Sequence, residues 1–103
     1  MKQYRHTKIV ATVGPASDSE KRLNQLMEAG ADVFRLNFSH GDHQNKAAII
    51  RRIRELSRKR QRAVAILGDL QGPKIRTGVM AGGELQLNSG AEVVITTRAV
   101  EGQ

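Results

Sequence analysis

Short apolar runs alternate with stretches of helical periodicity along the first two thirds of the chain. The β-branched run 8–13 predicts a first strand. Apolar residues recur at helical spacing within 18–29, and Gly30 stands where a left-handed helix end is expected. Ser17 and Glu20 have the spacing of a capping box at the start of that helix. The pattern therefore predicts a strand followed by an amphipathic helix.

The alternation continues through a second strand, a second helix and a third strand. Residues 31–36 form the second apolar run, and Asp42 is a suitable N-cap for a helix ending near Arg60. The run 63–67 is wholly apolar, as in a strand buried on both faces. Such alternation favours right-handed crossovers and a parallel sheet, so the predicted fold class is α/β. The second helix has an apolar face of Ile49, Ile50, Ile53 and Leu56, and a basic face of Arg51, Arg52, Arg54, Arg58, Lys59 and Arg60.

The pattern changes in the last quarter of the chain. Residues 77–83 are glycine-rich and have no helical period. An alternating stretch then meets a turn signal at 88–90, and 92–97 is β-branched. We predict a β-hairpin in a separate β-rich module that begins near Gly78. The predicted domains are 1–78 and 79–103, both truncated.

Composition narrows the classes of function. The chain has 103 residues, 39% of them hydrophobic, which is enough for one small core. Its formal charge of +7 suits an anionic partner, either nucleic acid or a phosphorylated small molecule. An aromatic content of 3% leaves little for base stacking, which disfavours nucleic acid. The absence of cysteine excludes a disulfide framework and a thiolate metal site. Without a signal core or an apolar run of about 20 residues, we expect a soluble, cytoplasmic protein with no membrane partner.

Polar residues gather where the predicted strands end. Gly14 and Pro15 follow the first strand, Arg35 and Asn37 end the second, and Asp69 follows the third. In parallel α/β sheets, ligands bind at the carboxyl ends of the strands. We therefore expect these residues to form one site.

Two chemical interpretations of this predicted site remain open. Arg35 ends an apolar strand, where a cation needs an anionic partner. That partner is either a ligand phosphate or carboxylate, or the side chain of Asp69 or Asp32. Asn37, Ser39 and Asp69 carry oxygen donors of the type that hard cations prefer, but loop and cap hydrogen bonding is the favoured explanation of the first two.

The remaining polar residues give weaker signals. His40 and His43 have no cysteine or third ligand nearby, so a zinc site is disfavoured. Lys74 and Arg76 bind phosphate or are solvated loop charges. The basic face of the second helix is a solvated surface or a contact for an acidic partner. Neither a phosphate-loop motif nor a dinucleotide-binding fingerprint is present.

Three segments together resemble a known family. Residues 7–17 (TKIVATVGPAS), 26–43 (LMEAGADVFRLNFSHGDH) and 66–78 (ILGDLQGPKIRTG) are similar in order and spacing to the amino-terminal part of pyruvate kinase. The tail to Gln103 resembles the first hairpin of the family's lid domain. The resemblance implies the first βαβαβ part of a (β/α)8 TIM-type barrel, followed by the start of a small β-rich lid domain.

The resemblance also implies an activity and its residues. The family transfers a phosphoryl group from phosphoenolpyruvate to ADP, giving pyruvate and ATP in glycolysis. Arg35 matches the catalytic arginine that binds the substrate phosphate. The resemblance assigns nucleotide binding to Pro15, Asn37, His40 and Arg76, and a K+ site to Asn37, Ser39, Asp69 and the carbonyl of Leu70.

Two departures from the family pattern qualify these expectations. Lys74 stands where potassium-dependent members carry Glu, and its ammonium could replace K+. Leu70 stands where Thr is common, although its carbonyl remains available. The family's proton-donating lysine and its Mg2+ ligands would lie beyond Gln103. We therefore expect the 103-residue chain alone to be inactive and marginally folded, and the parent enzyme to be a homotetramer.

Two other functions remain alternatives. The chain could be a non-catalytic basic remnant that binds anions or nucleic acid through the second helix. It could also be a structural partner that completes a barrel with another chain. Salt-dependent nucleic-acid binding would indicate the former, and co-purification with a larger polypeptide the latter.

Overall fold

The computed structural model describes residues 5–103, which fall into two compact units. The first unit extends to Gly72 and the second is Pro73–Gln103. The first unit contains β1 (Val10–Thr12), α1 (Glu20–Ala29), β2 (Val33–Asn37), α2 (His43–Arg60) and β3 (Ala65–Asp69), and the second contains one 3-10 turn, Ala81–Gly83.

The three strands form one parallel sheet in the order β1-β2-β3. Thr12 pairs with Arg35, and Asn37 pairs with Asp69. The predicted α/β class and the parallel sheet are therefore confirmed. Because the strands are parallel and adjacent, their carboxyl ends meet at one edge of the sheet.

One face of the sheet packs against the two helices. Along β2, Phe34 and Leu36 are completely buried, whereas Val33, Arg35 and Asn37 on the other face are half-buried. This alternation is the period of a strand with one covered face. The buried core consists of Val13, Leu23, Met27, Ala31, Phe34, Leu36, Ile49, Ile53, Leu56 and Val64.

The start of α1 differs from the predicted capping box. Ser19 is the N-cap, and its hydroxyl accepts a hydrogen bond from the Arg22 N–H at 3.3 Å. The Ser17 hydroxyl instead accepts from the N–H of Gly14 at 3.0 Å. The Ser17 prediction was therefore wrong, because this hydroxyl closes the β1–α1 loop rather than the helix. The predicted end at Gly30 is confirmed, with φ at 113°.

The predicted bounds of α2 are confirmed at both ends. The Asp42 carboxylate accepts a hydrogen bond from the Asn45 N–H at 2.6 Å, and the helix ends at Arg60. Gln61 follows in the left-handed region, at φ 50°. Within residues 5–103, neither helix has both the length and the apolar character needed to cross a membrane.

The third strand is not buried on both faces as predicted. It begins at Ala65 and ends at Asp69, and Ala65 and Leu67 are exposed. Ile66 packs against the core, and Val64, just before the strand, belongs to it. The strand is exposed because it lies at the sheet edge and only the helix-facing side of the sheet is covered. Asp69 is thus the last residue of β3 rather than the first of a loop.

An ion-pair cluster ties together the amino ends of the strands. Asp32 precedes β2 and accepts a hydrogen bond from the Ile9 N–H at 2.8 Å. Arg5 and Arg62 each form an ion pair with the same carboxylate, at 3.2 and 3.1 Å. Arg62 also donates to the carbonyl of Ala31 at 3.0 Å. The cluster therefore joins three parts of the chain that are distant in sequence.

The second unit does not form the predicted hairpin. Neither 85–87 nor 92–97 is a strand, and the unit's one described bridge joins Met80 to Gly102. No residue of 73–103 is buried, so paired strands would have no apolar surface to pack against. The units divide at Gly72, before the predicted boundary, and a lid domain over 79–103 remains a prediction.

Candidate functional site

The carboxyl end of the sheet brings three of the predicted site residues together. Arg35, Asn37 and Asp69 lie on the face of the sheet that the helices leave uncovered. Thr12 lies beside Arg35 in the register, and Asp69 lies beside Asn37. Strand ends therefore place a guanidinium, a carboxamide and a carboxylate side by side.

Arg35 is held by side chains from both neighbouring strands. Its Nε donates to Asp69 Oδ2 at 3.0 Å, and its Nη2 contacts the same oxygen. Its Nη1 donates to Thr12 Oγ1 at 3.3 Å. Asp69 is therefore the internal partner of Arg35, and Asp32 belongs to the cluster at the opposite end. The pair is not sealed, since 30% of the Arg35 side chain and 47% of Asp69 are exposed.

Asp32 has a structural role that sequence reasoning missed. The backbone N–H of Ile9 is the largest cause that lowers the pKa of Asp32 from its ordinary value of 3.8. Burial opposes this shift, and the charge of Arg5 and the hydrogen bond from Arg62 add to it. The signal available in the sequence was a charged residue at the start of two predicted strands, since Asp32 is the second residue of 31–36 and Arg62 directly precedes 63–67.

The turn after β2 is organised by its own polar groups. The Ser39 N–H donates to Asn37 Oδ1 at 3.0 Å, and the His40 N–H donates to the Asn37 carbonyl at 3.4 Å. The Phe38 N–H donates to the carbonyl of Asp69 at 3.0 Å, which ties the turn to β3. The local hydrogen-bonding interpretation of Asn37 is therefore confirmed.

The oxygen donors fit a hard monovalent cation in type. Asn37, Ser39 and Asp69 each carry a side-chain oxygen at the same sheet edge, as such cations require. In the described part of the chain, no three His, Asp or Glu side chains cluster as a metal site would need. The cation assignment remains a prediction.

A cleft of about 390 Å³ opens beside this edge. It brings together Pro15 from the β1–α1 loop and Asn37 and His40 from the β2–α2 turn. These are three of the four residues predicted to bind a nucleotide. The cleft is lined by Thr12, Val13, Gly14, Pro15, Asp18, Asn37, His40, Gly41, Asn45, Lys46 and Ile49.

The cleft also contains Lys46, which sequence reasoning missed. Its side chain is only 8% exposed, the lowest exposure of any described charged residue. Lys46 continues the stripe of Ile49, Ile53 and Leu56 by one turn toward the helix start. A lysine on an apolar stripe was the signal that could have revealed it.

The ring of Phe38 packs the turn after β2 against Gly68 of β3. Its ring lies where a Cβ on Gly68 would be 3.1 Å from Cε2. It also meets the ring of His43 edge-on, with 6.3 Å between centroids. His43 is exposed, as predicted, and touches an aromatic ring. Gly68 therefore gives Phe38 the space to hold Asn37 and Ser39 in place.

Leu70, Lys74 and Arg76 are the predicted site residues that follow β3. Leu70 follows β3 and is 76% exposed. Lys74 and Arg76 belong to the second unit, where both are exposed. Their assigned roles remain predictions.

The basic face of α2 is partly occupied by contacts within the first unit. Arg52 donates to the carbonyl of Asp18 at 2.8 Å, and Arg60 donates to Asn24 Oδ1 at 2.7 Å. Lys59 forms an ion pair with Glu20 at 3.5 Å. These charges join α2 to α1, which reduces the surface available to nucleic acid.

The fold and this edge define an α/β protein with an ionic site at the carboxyl ends of parallel strands. Residues 4–103 match the family described as "Pyruvate kinase, barrel domain". The chain belongs to the pyruvate kinase family, and its parallel strands and helices are consistent with the start of a TIM barrel.

Individual relatives agree with this assignment. The chain is 52% identical over 98 residues to pyruvate kinase of Geobacillus stearothermophilus, covering 95% of this chain and 17% of that protein. It is 52% identical over 99 residues to pyruvate kinase 2 of Synechocystis, covering 94% and 17%. The crystal structure of Cryptosporidium parvum pyruvate kinase is similar at a TM-score of 0.70 and 42% identity, covering 76% of this chain and 16% of that one. The chain thus spans about a sixth of the length of these relatives.

Proposed function

We propose that the full-length gene product carrying this segment is a pyruvate kinase. It would transfer the phosphoryl group of phosphoenolpyruvate to ADP, giving pyruvate and ATP in glycolysis. The observation that carries the proposal is that Arg35 and the cleft of Pro15, Asn37 and His40 lie at the same end of the sheet, where Thr12 both lines the cleft and accepts a hydrogen bond from Arg35. Phosphoryl transfer depends mainly on positioning and charge neutralisation, which such an edge can supply.

Each residue has a physical task in this proposal. The Arg35 guanidinium binds the phosphate of phosphoenolpyruvate, since its planar fork suits a phosphate. Pro15, Asn37 and His40 hold the nucleotide in the cleft, and Arg76 binds its phosphates. Asn37, Ser39, Asp69 and the carbonyl of Leu70 would hold a K+ ion, which would supply positive charge near the phosphates.

Lys74 bears on the need for that ion. We propose that its ammonium takes over much of the K+ charge, so the enzyme needs little or no potassium. The Mg2+ ligands and the proton-donating lysine of the family are assigned to parts of the protein outside these residues. The 103 residues alone are therefore expected to show no turnover.

The setting of the enzyme follows the family resemblance. We propose a cytoplasmic homotetramer that takes phosphoenolpyruvate and ADP from solution. The basic-remnant alternative receives less support because several α2 cations are engaged within the first unit.

The first experiment measures the size and activity of the endogenous protein. An antibody against this segment is used to blot source lysate and to isolate the protein for a lactate-dehydrogenase-coupled assay. A band several times larger than 11.3 kDa, with ADP-dependent pyruvate formation, is expected. A single band near 11.3 kDa without activity would overturn the enzyme proposal and leave only shared ancestry.

A further inference from the structure

Lys46 is a buried lysine without an internal counter-charge. Its side chain is 8% exposed and lines the cleft beside Gly41, whose added Cβ would be 3.6 Å from the ammonium. Among residues 5–103, no carboxylate forms an ion pair with this ammonium, and no acceptor lies within hydrogen-bond distance of it. A charge with so little access to water is costly unless it is paired, so the packing of residues 5–103 alone does not explain this lysine.

The ammonium is nevertheless not sealed off. No described side-chain nitrogen or oxygen is both fully enclosed and without a partner. The Lys46 nitrogen therefore retains some contact with solvent. Since Lys46 lines the cleft, the cleft is the route by which a ligand can reach it.

The position of Lys46 near the start of α2 adds to the positive electrostatic potential around its ammonium. Lys46 lies just inside the first turn, and its N–H donates to the Asp42 carbonyl at 3.2 Å. A helix start already favours negative charge, so a cation there is unfavourable without an anion. The first turn contains no acidic residue, and the Asp42 carboxylate accepts from the Asn45 N–H. The acidic side chain that does line the cleft is Asp18, which forms no ion pair with Lys46.

We propose that Lys46 is an anion-binding residue of this cleft and holds a phosphate group of the bound ligand. An ammonium only donates hydrogen bonds, so it selects acceptors and above all anions. The choice of ADP as that ligand rests on the proposed function. The anion site itself rests on the burial and the missing partner of Lys46.

The test compares Lys46→Met with Lys46→Arg in the full-length gene product. Methionine keeps an unbranched side chain of similar length but removes the charge, whereas arginine keeps the charge. Lys21→Met is the matched control, because Lys21 is exposed on α1 and does not line the cleft. ADP, adenosine and inorganic pyrophosphate are titrated by calorimetry, and the melting temperature is followed with and without each.

Loss of one charge-assisted bond predicts about a ten- to hundredfold weaker ADP affinity in Lys46→Met. Adenosine affinity should be unchanged, and Lys46→Arg and Lys21→Met should bind ADP like the wild type. Without ligand, Lys46→Met should melt at the same or a higher temperature, because an unpaired charge on a largely buried residue is removed. Equal ADP affinities in wild type and Lys46→Met, or an equal loss for adenosine, would overturn the proposal.

The outcomes separate this proposal from the enzyme assignment. If the wild type binds pyrophosphate but not ADP, and Lys46→Met loses pyrophosphate binding, the anion site stands and the nucleotide function fails. If the wild type makes pyruvate and Lys46→Met binds ADP as tightly as the wild type, the proposed enzyme activity is supported and the proposed role of Lys46 is refuted. If no phosphate compound binds the wild type, the anion site is refuted.

Discussion

Replacing Arg35 by lysine separates its internal role from its proposed role toward substrate. Lysine keeps the positive charge but replaces the guanidinium fork with a single point charge. In the structure, two nitrogens of Arg35 contact one Asp69 oxygen and a third donates to Thr12. The Arg35→Lys variant should keep an ion pair with Asp69 but lose the additional hydrogen bonds that the guanidinium forms with Asp69 and Thr12.

The two roles predict losses of different size. Charge-assisted hydrogen bonds contribute about 1.5–3 kcal/mol when buried. Solvent screens this half-exposed pair, so Arg35→Lys should cost about 1 kcal/mol of folding stability. Loss of bidentate phosphate binding in a water-excluded transition state costs about 3 kcal/mol, or roughly a hundredfold in kcat/KM for phosphoenolpyruvate.

The full-length gene product is assayed for pyruvate formation and for urea unfolding. Arg62→Lys is the control, since Arg62 is 31% exposed and Arg35 30%, and Arg62 also pairs with an aspartate. Arg62 lies at the opposite end of the sheet, so its variant should lose similar stability with kcat/KM changed less than about twofold. If both variants lose activity equally, or if Arg35→Lys loses less than about fivefold, Arg35 is a structural residue only.

Three further predictions concern the cluster, the turn and the cation. The lowered pKa of Asp32 means that its charge stabilises the fold above pH 3.8, and this contribution is lost as the pH falls below that value. Asp32→Asn should therefore be less stable at neutral pH, with a smaller acid-dependent loss in pH-resolved urea melts; parallel curves would contradict this. Gly68→Ala should displace Phe38 by a few tenths of an ångström, cost about 1 kcal/mol and raise the KM for ADP, as seen by thermal melting and kinetics; unchanged values for both would contradict it. The wild type should retain activity when K+ is replaced by tetramethylammonium, whereas Lys74→Glu should become potassium-dependent; collapse of wild-type activity in that buffer would exclude the proposed role of Lys74.

The sequence pattern predicts the layout of the first unit because its signals are local and mutually consistent. The N-cap at Asp42 and the left-handed end at Gly30 are set by nearest-neighbour backbone chemistry, and both are confirmed. The same local chemistry does not decide between Ser17 and Ser19 as the N-cap of α1, since the hydroxyl of either residue can cap a helix. Which one does so depends on whether the loop at Gly14 needs the other, which is not visible in the pattern.

Other features depend on contacts between distant parts of the chain. Asp32 meets Arg5 and Arg62 only after both crossovers are complete. The burial predicted for the third strand assumed that both faces of the sheet are covered, but Leu67 is exposed on the face that the helices do not cover. Pairing of strands over 79–103 likewise requires an apolar surface that those residues do not provide for one another.

If Arg35 binds a phosphate and Asp69 binds a cation, as proposed, the ion pair between these two side chains makes the two binding events interdependent. A phosphate that arrives at Arg35 competes with the Asp69 carboxylate, and displacing that carboxylate frees it for a cation. A cation that takes Asp69 in turn frees the guanidinium. By thermodynamic reciprocity, each ion then raises the affinity for the other by the same factor. At the proposed site, the two ions would therefore bind cooperatively.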